Sequence, residues 1–313
     1  MENTPYGIST TKRFTSEKGE ALLYEKKNAG TDSTFVELID YMGGDGTVER
    51  AATAGHGRKI FPEEPSQVDL FDSLAHRKVL MPFKSVHLKF RIHSSIRDAL
   101  DIVYAQAAEV NEYSGRYSEM PESSFVPSME YLAAKMTGAS PQEAKERAKR
   151  AHELIAENRK INFAEYHWLI SKDIDLAREL ARAPLELNND TSYIWKIDLL
   201  SLHSFIQEKR ARIGMDNTDS LHAFLDLMES AAVAVAPIAY EGLMAGGAEV
   251  KLSHPRDADI IDPTPLPAGW SPSQTRRVTV PALEEILFMK KQYLEHGAIQ
   301  AVDYMVDDRC AVE

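Results

Sequence analysis

The sequence predicts one α/β or α+β domain with a C-terminal extension, and three observations lead there. Two stretches, near 34–42 and 85–93, carry the apolar runs and alternation of β-strands. Several longer segments carry helical patterning, one of them opened by a complete helix-start signature. The composition, 43% hydrophobic and 27% charged over 313 residues, is that of an ordinary folded protein and too apolar for a disordered one.

Residues 1–33 are polar, with scattered charge and no periodicity, and read as an N-terminal arm. Phe35, Val36, Leu38, Ile39 and Tyr41 then make a β-prone run that ends in Met42-Gly43-Gly44-Asp45-Gly46, a turn leading to a helix start at Thr47. Ser85–His93 is the clearest strand. Val86, Leu88, Phe90 and Ile92 alternate with His87, Lys89, Arg91 and His93, so one face is apolar and the other basic. The basic face suits solvent, a neighbouring subunit or an anion.

Ser140-Pro141-Gln142-Glu143 combines an N-cap serine, a proline at the first helical position and a glutamate at the third, and opens a helix to about Asn158. Its Lys145, Arg147, Lys149 and Arg150 are offset by Glu143, Glu146 and Glu153, as on a solvated helix face. Further helices are predicted at 173–182, 196–211, 218–236 and 282–296, and Pro255–Pro272 reads as irregular chain. The domain expected from this pattern covers 34–250, with a C-terminal helical extension over 251–313.

With 36 basic and 48 acidic side chains the formal charge is 36 − 48 = −12, which repels a polyanion, so nucleic acid is not an expected partner. A mononucleotide phosphate is compatible with that charge, because a few arginines and backbone N–H groups hold it locally. The single cysteine, Cys310, excludes an intrachain disulfide framework, a multi-cysteine zinc site and an iron–sulfur cluster, and sits too near the end to be an expected nucleophile. The first residues lack the apolar core of a signal peptide, and the most apolar run, Ala231–Tyr240, is far short of the roughly 20 residues of a membrane helix. A cytoplasmic location without membrane attachment is the expectation. The nucleotide-binding GxxxxGK[ST] and GxGxxG motifs and the zinc motif HExxH are absent.

The informative segment is Asn111-Glu112-Tyr113-Ser114-Gly115-Arg116-Tyr117-Ser118. Adjacent Ser and Gly let backbone N–H groups approach an anion, and Arg116 adds a fork of donors matched to phosphate oxygens. Glu112, four residues earlier, is equally placed to be a helical ion-pair partner of Arg116. Arg182, ahead of Pro184, suits either a phosphate or the C-terminus of a helix. Trp195 reads as a core anchor rather than a stacking platform.

The chain resembles the flavin-dependent thymidylate synthases (ThyX). Their hallmark RHRxxSxNExSxRY has its second half intact in Asn111-Glu112-x-Ser114-x-Arg116-Tyr117. Phe35 to Gly43 with Asp45, followed by Arg50-Ala51-Ala52, is similar to the family's first strand and helix, and Pro82-Phe83 to its Pro-Phe. Leu180-Ala181-Arg182, Leu187-Asn188, Thr191 and Trp195 are similar to its second nucleotide-binding region, so the resemblance runs over about 34–240.

The resemblance implies an α+β fold with a central antiparallel sheet and flanking helices, a homotetramer with shared active sites, and reductive methylation at C5 of dUMP or UMP. Methylenetetrahydrofolate would give the one-carbon unit, and FAD reduced by NADPH the hydride, with no cysteine nucleophile. Some members of this kind act on UMP for nucleoside antibiotics. Glu112, Tyr113, Ser114, Gly115, Arg116 and Arg182 would bind the nucleotide, and Asn111 and Glu112 would also face the cofactor. A further arginine would polarise the pyrimidine ring. Matching without gaps from Trp195 puts Lys209 there, and matching back from Pro237 puts Arg212 there. Arg210 and Arg212 are carried as substrate-binding and catalytic candidates because a guanidinium suits a bidentate contact.

The chain departs from the family pattern in the flavin half. Arg-His-Arg becomes Tyr104-Ala105-Gln106, the following serine becomes Glu109, and the residues flanking Pro-Phe become Val79, Lys84 and Ser85. Later flavin contacts become Asp198, Leu200 and Ser204. Lys84, Tyr104 and Gln106 are the replacement donors expected at the cofactor. Two other readings follow: a nucleotide-binding paralogue without redox chemistry, and one-carbon transfer that ends at hydroxymethylation.

Overall fold

The structure, a computed structural model, describes residues 15–30, 33–56, 66–103, 108–136, 138–213 and 220–247, with the backbone alone at 55–56, 212–213 and 220. Two compact units divide the chain, one of 1–113 with 190–255 and one of 114–189 with 256–313.

The first unit holds one antiparallel sheet of β1 (Lys26–Asn28), β2 (Phe35–Met42), β3 (His87–Ser95), β4 (Glu109–Glu112) and β5 (Asp190–Asp198), in the order β1-β2-β3-β5-β4. The alternation of β3 does what period two requires, since Leu88, Phe90 and Ile92 are fully buried and the intervening residues are half-exposed. Phe90 pairs with Trp195 across the β3–β5 register. Trp195 is completely buried, with its ring 6.2 Å from Phe90 and 5.5 Å from Phe205, which makes it the core anchor the sequence suggests. Register shifts between Leu38 and Asp40, a bulge in β2 beside the Gly43 turn.

Helices cover the apolar face: α8 (Leu199–Ile213), α9 (Ser220–Val235) and α10 (Pro237–Ala245) supply Leu202, Phe205, Ile206, Phe224, Leu225, Met228 and Ala239 to the same core. The apolar run 231–240 is not one element, for α9 and α10 meet at a 118° bend before Pro237, where proline starts a new helix. Among the described residues, no single helix is long and apolar enough to cross a membrane. Asp45, in the first turn of α2 (Asp45–His56), accepts from the N–H groups of Ala239 at 2.8 Å and Ile238 at 3.3 Å and so caps α10 from a distance. Gly43, with φ of 89°, supplies the left-handed turn ahead of α2.

Part of the expected arm is built into this unit. Helix α1 (Glu17–Leu22) is capped by Ser16, and Gly19 lies so close to α9 that a Cβ there would be 3.2 Å from Val235 Cγ2. Strand β1 pairs with β2 through Lys26–Glu37 and Asn28–Phe35. On the basic face of β3, Glu37 is the counter-ion of Arg91 and Asp40 that of Lys89 at 3.3 Å, and Asp190 lies 3.7 Å from His93.

In the second unit α6 (Pro141–Leu169) opens with the expected capping box. The hydrogen bonds from Ser140 hold the exposed Glu143 carboxyl below its usual range. The helix outruns the predicted end at Asn158, because Phe163 and Tyr166 in its last turns are buried against Met120 and Ala181. Predicted helix 173–182 shrinks to α7 (Arg178–Ala181), since Asp175 takes a positive φ of 51° and closes a turn on Ser171. Predicted helix 196–211 begins instead at Leu199, after β5 has run to Asp198. Helix 282–296 and Pro255–Pro272 lie outside the described residues.

Candidate functional site

The phosphate-grip motif changes character at Tyr113. Asn111 and Glu112 lie on β4, whose four residues are all exposed. Thr191 Oγ1 donates to Glu112 Oε1 at 2.9 Å, which holds that carboxylate against β5. Tyr113 N–H donates to the Ser192 carbonyl at 2.8 Å as the strand ends. Because 109–112 is extended, the segment is not helical at Glu112, and the helical i, i+4 spacing that would have linked it to Arg116 does not apply.

In the second unit the chain from Ser114 to Ser118 folds into a turn. The N–H groups of Tyr117 and Ser118 both donate to the Ser114 carbonyl at 3.2 Å, and Arg116 N–H donates to Ser114 Oγ at 3.3 Å. Gly115 is buried at the centre. A Cβ there would lie 2.6 Å from Met120 Sδ and 3.4 Å from Arg182 Cδ, so Arg182 packs directly on the glycine. Arg182 follows α7, and its Nε donates to the Glu179 carbonyl at 3.3 Å, the helix-end role open to it in the sequence. Arg116 Nη2 pairs with Glu179 Oε2 at 3.1 Å. The unit thus gathers Ser114, Gly115, Arg116 and Arg182, together with a carboxylate that sequence reading missed. The only local signal, the three-residue spacing of Glu179 and Arg182, points to the wrong arginine.

The ring-contact candidates lie on α8 in the first unit and differ sharply. Lys209 is nearly buried, with Nζ 2.8 Å from Asp101 Oδ1 on α4 (Ile96–Val103) and 5.9 Å from the Phe205 ring centroid. Arg210 is clamped by Asp226 at 2.6 Å and Glu229 at 2.7 Å. Burial opposes its charge, but the hydrogen bonds to Glu229 and Asp226 outweigh that and raise its pKa. The Tyr240 hydroxyl donates to Glu229 at 2.8 Å, and burial followed by the Glu229 charge pushes its pKa up. Arg212 continues α8, with its side chain outside the described residues.

Of the cofactor candidates, Lys84 closes a 3-10 turn, Met81–Ser85, and is half-buried, while Tyr104 and Gln106 lie outside the described residues. Three positions that face flavin in the ThyX pattern are used internally. Asp198 accepts from Ser201 N–H at 2.9 Å and Ser201 Oγ at 2.7 Å and caps α8. Leu200 is buried in the core, and Ser204 Oγ donates to the Leu200 carbonyl at 2.9 Å. Lys84, Asn111 and Glu112 fit a flavin by chemistry, offering an ammonium for a phosphate charge and exposed amide and carboxylate groups for polar contacts. Among the described residues, no group of three His, Cys, Asp or Glu side chains is placed to hold a metal ion.

The family described as thymidylate synthase complementing protein matches residues 37–238. A flavin-dependent thymidylate synthase of Ehrlichia ruminantium (strain Gardel) is 31% identical over 201 residues, 63% of this chain and 66% of that protein, so the match spans just under two thirds of the relative's length. The corresponding protein of Treponema pallidum (strain Nichols) is 31% identical over 226 residues, 69% of this chain and 71% of that protein. Among solved structures, the UMP/dUMP methylase PolB of Streptomyces cacaoi bound with 5-Br UMP shares the fold, with a TM-score of 0.58 at 20% identity over 70% of this chain and 97% of that one. With the intact half-motif on β4 and the turn after it, and a match over most of the described residues, this chain belongs to the thymidylate synthase complementing protein family.

Proposed function

We propose that this protein methylates C5 of a uracil nucleotide, dUMP or UMP. The observation that carries the reading is the gathering of Ser114, Gly115, Arg116 and Arg182 in one unit, where two guanidinium groups meet a glycine turn. Two such cations match the charge of a phosphate monoester. For the pyrimidine ring we assign Lys209, with Arg212 as the second candidate, because Arg210 already serves two carboxylates. A nearly buried cation next to a ring stabilises negative charge that develops there.

Methylenetetrahydrofolate would supply the one-carbon unit and NADPH the reducing equivalents, and FAD, when bound, would supply the hydride. Lys84, Asn111 and Glu112 would hold the flavin, joined by Tyr104 and Gln106. Glu112, fixed by Thr191, would orient cofactor or substrate without rearranging. With Cys310 the single cysteine, no thiol from 1–309 can attack the ring. A homotetramer is proposed with this reading, and light scattering on the purified protein would read its mass.

Tritium release from 5-tritiated UMP and dUMP with folate, FAD and NADPH tests the reaction, and its absence with both substrates would remove it. Product mass separates methylation from hydroxymethylation by one oxygen. The internal use of Asp198, Leu200 and Ser204 favours a second reading, a nucleotide binder without redox chemistry. Colourless protein that binds UMP would support it, and a flavin absorbance spectrum would exclude it.

A further inference from the structure

The Glu179 carboxylate lies where an anion should lie in the grip. It pairs with Arg116 at 3.1 Å, and its main-chain carbonyl accepts from Arg182 at 3.3 Å. We propose that Glu179 is the grip's internal counter-ion, displaced when a phosphate monoester enters, so that it sets which ligands the grip accepts. The inference rests on the reading of Ser114, Gly115, Arg116 and Arg182 as a phosphate site.

Three features of the unit support displacement rather than a permanent brace. The side chains of Arg116 and Glu179 are both about half exposed, 52% and 51%, and exposed ion pairs are weak and easily exchanged. Arg182 is held by the Glu179 main chain and not by its carboxylate, so the carboxylate can swing out while Arg182 stays seated. Two guanidiniums and one carboxylate leave a net charge of +1, whereas a phosphate monoester dianion is matched by +2. A dianion therefore gains the full charge of both arginines only after Glu179 has left. A neutral nucleoside has nothing to exchange for the carboxylate, and the pair stays closed against it.

Titration calorimetry with UMP and with uridine, on the full chain and on Glu179→Gln, Arg116→Ala and the double variant, tests this. The glutamine keeps the shape and removes the charge at an exposed site. UMP should bind Glu179→Gln two- to fivefold more tightly than the parent, uridine should show no gain, and the gain should vanish when Arg116 is alanine. Unchanged or weaker UMP binding by Glu179→Gln would overturn the inference, as would a gain that persists without Arg116. If the parent chain binds no UMP, the phosphate reading itself falls and the inference with it. UMP binding without a Glu179 effect removes the inference alone.

Discussion

Lys209 Nζ lies 2.8 Å from Asp101 Oδ1, although only 10% of the lysine side chain is exposed against 55% of the aspartate's. The two ends of this pair are therefore not equivalent. Removing Lys209 leaves a carboxylate that water can solvate, whereas removing Asp101 leaves an ammonium in a largely buried position.

Lys209→Met keeps an unbranched apolar chain in the nearly buried position and should cost under about 1 kcal/mol of stability, while Asp101→Ala should cost about 1–3 kcal/mol. Urea unfolding of both variants checks the order. If Lys209 meets the pyrimidine, Lys209→Met should still lower kcat/KM for UMP or dUMP at least tenfold, with Lys209→Arg recovering part of the loss.

Arg210 should behave in the opposite way. It ties α8 to Asp226 and Glu229 on α9, with Tyr240 on α10 behind Glu229. Arg210→Met should destabilise the fold by about 1–3 kcal/mol, the cost of leaving a partly buried carboxylate short of a partner. Activity per folded molecule should change little at a temperature where the variant is fully native, as circular dichroism with steady-state kinetics would show.

Asp45 gives a pH signature. Burial raises its pKa, and the N–H groups of Ala239 and Ile238 only partly counter that. The folded state therefore holds its proton more tightly than the unfolded state. Its contribution to stability is fully present below the ordinary aspartate pKa, about 3.9, and is lost as pH rises through the raised folded value. Asp45→Asn keeps an acceptor for the α10 cap and should flatten this acidic-range slope in melts at stepped pH. Asp45→Ala loses the cap as well and should be about 1 kcal/mol less stable than Asp45→Asn at every pH.

Gly115→Ala tests the packing of the grip. The added methyl would press on Met120 Sδ at 2.6 Å and touch Arg182 Cδ at 3.4 Å. Met120 is flexible enough to yield, so about 1–2 kcal/mol of stability should be lost. The Kd for UMP should rise several-fold as Arg182 is pushed from the turn, measured by calorimetry beside a thermal melt.

Strand β3 was legible because its period-two pattern and its burial are one fact, and the α6 start because a capping box is wholly local. The strand–helix junction at Asp198 was not, since it has no glycine or proline to mark it and the cap on Ser201 was the only sign. Strand β1 left no pattern in 26–28, because backbone pairing with β2 asks little of three side chains. In the site, Ser114, Gly115, Arg116 and Arg182 could be read from motif and resemblance. Glu179 could not, since it meets Arg116 across 63 positions of sequence, where no local spacing applies.

The β4–β5 pairing has a consequence for how the chain folds. These strands are antiparallel neighbours, yet the residues between Glu112 and Asp190 include all of the described second unit. That unit closes on itself, for Ser124 bridges Asn189 and Phe125 N–H donates to the Asn188 carbonyl. Once it has formed, the free chain separating the two strands is several-fold shorter, and each halving removes about 0.6 kcal/mol of loop-closure cost. The inserted unit thus acts as a preformed hairpin loop, and replacing it with floppy chain of equal length would slow completion of the sheet at β4, the strand that carries Asn111 and Glu112.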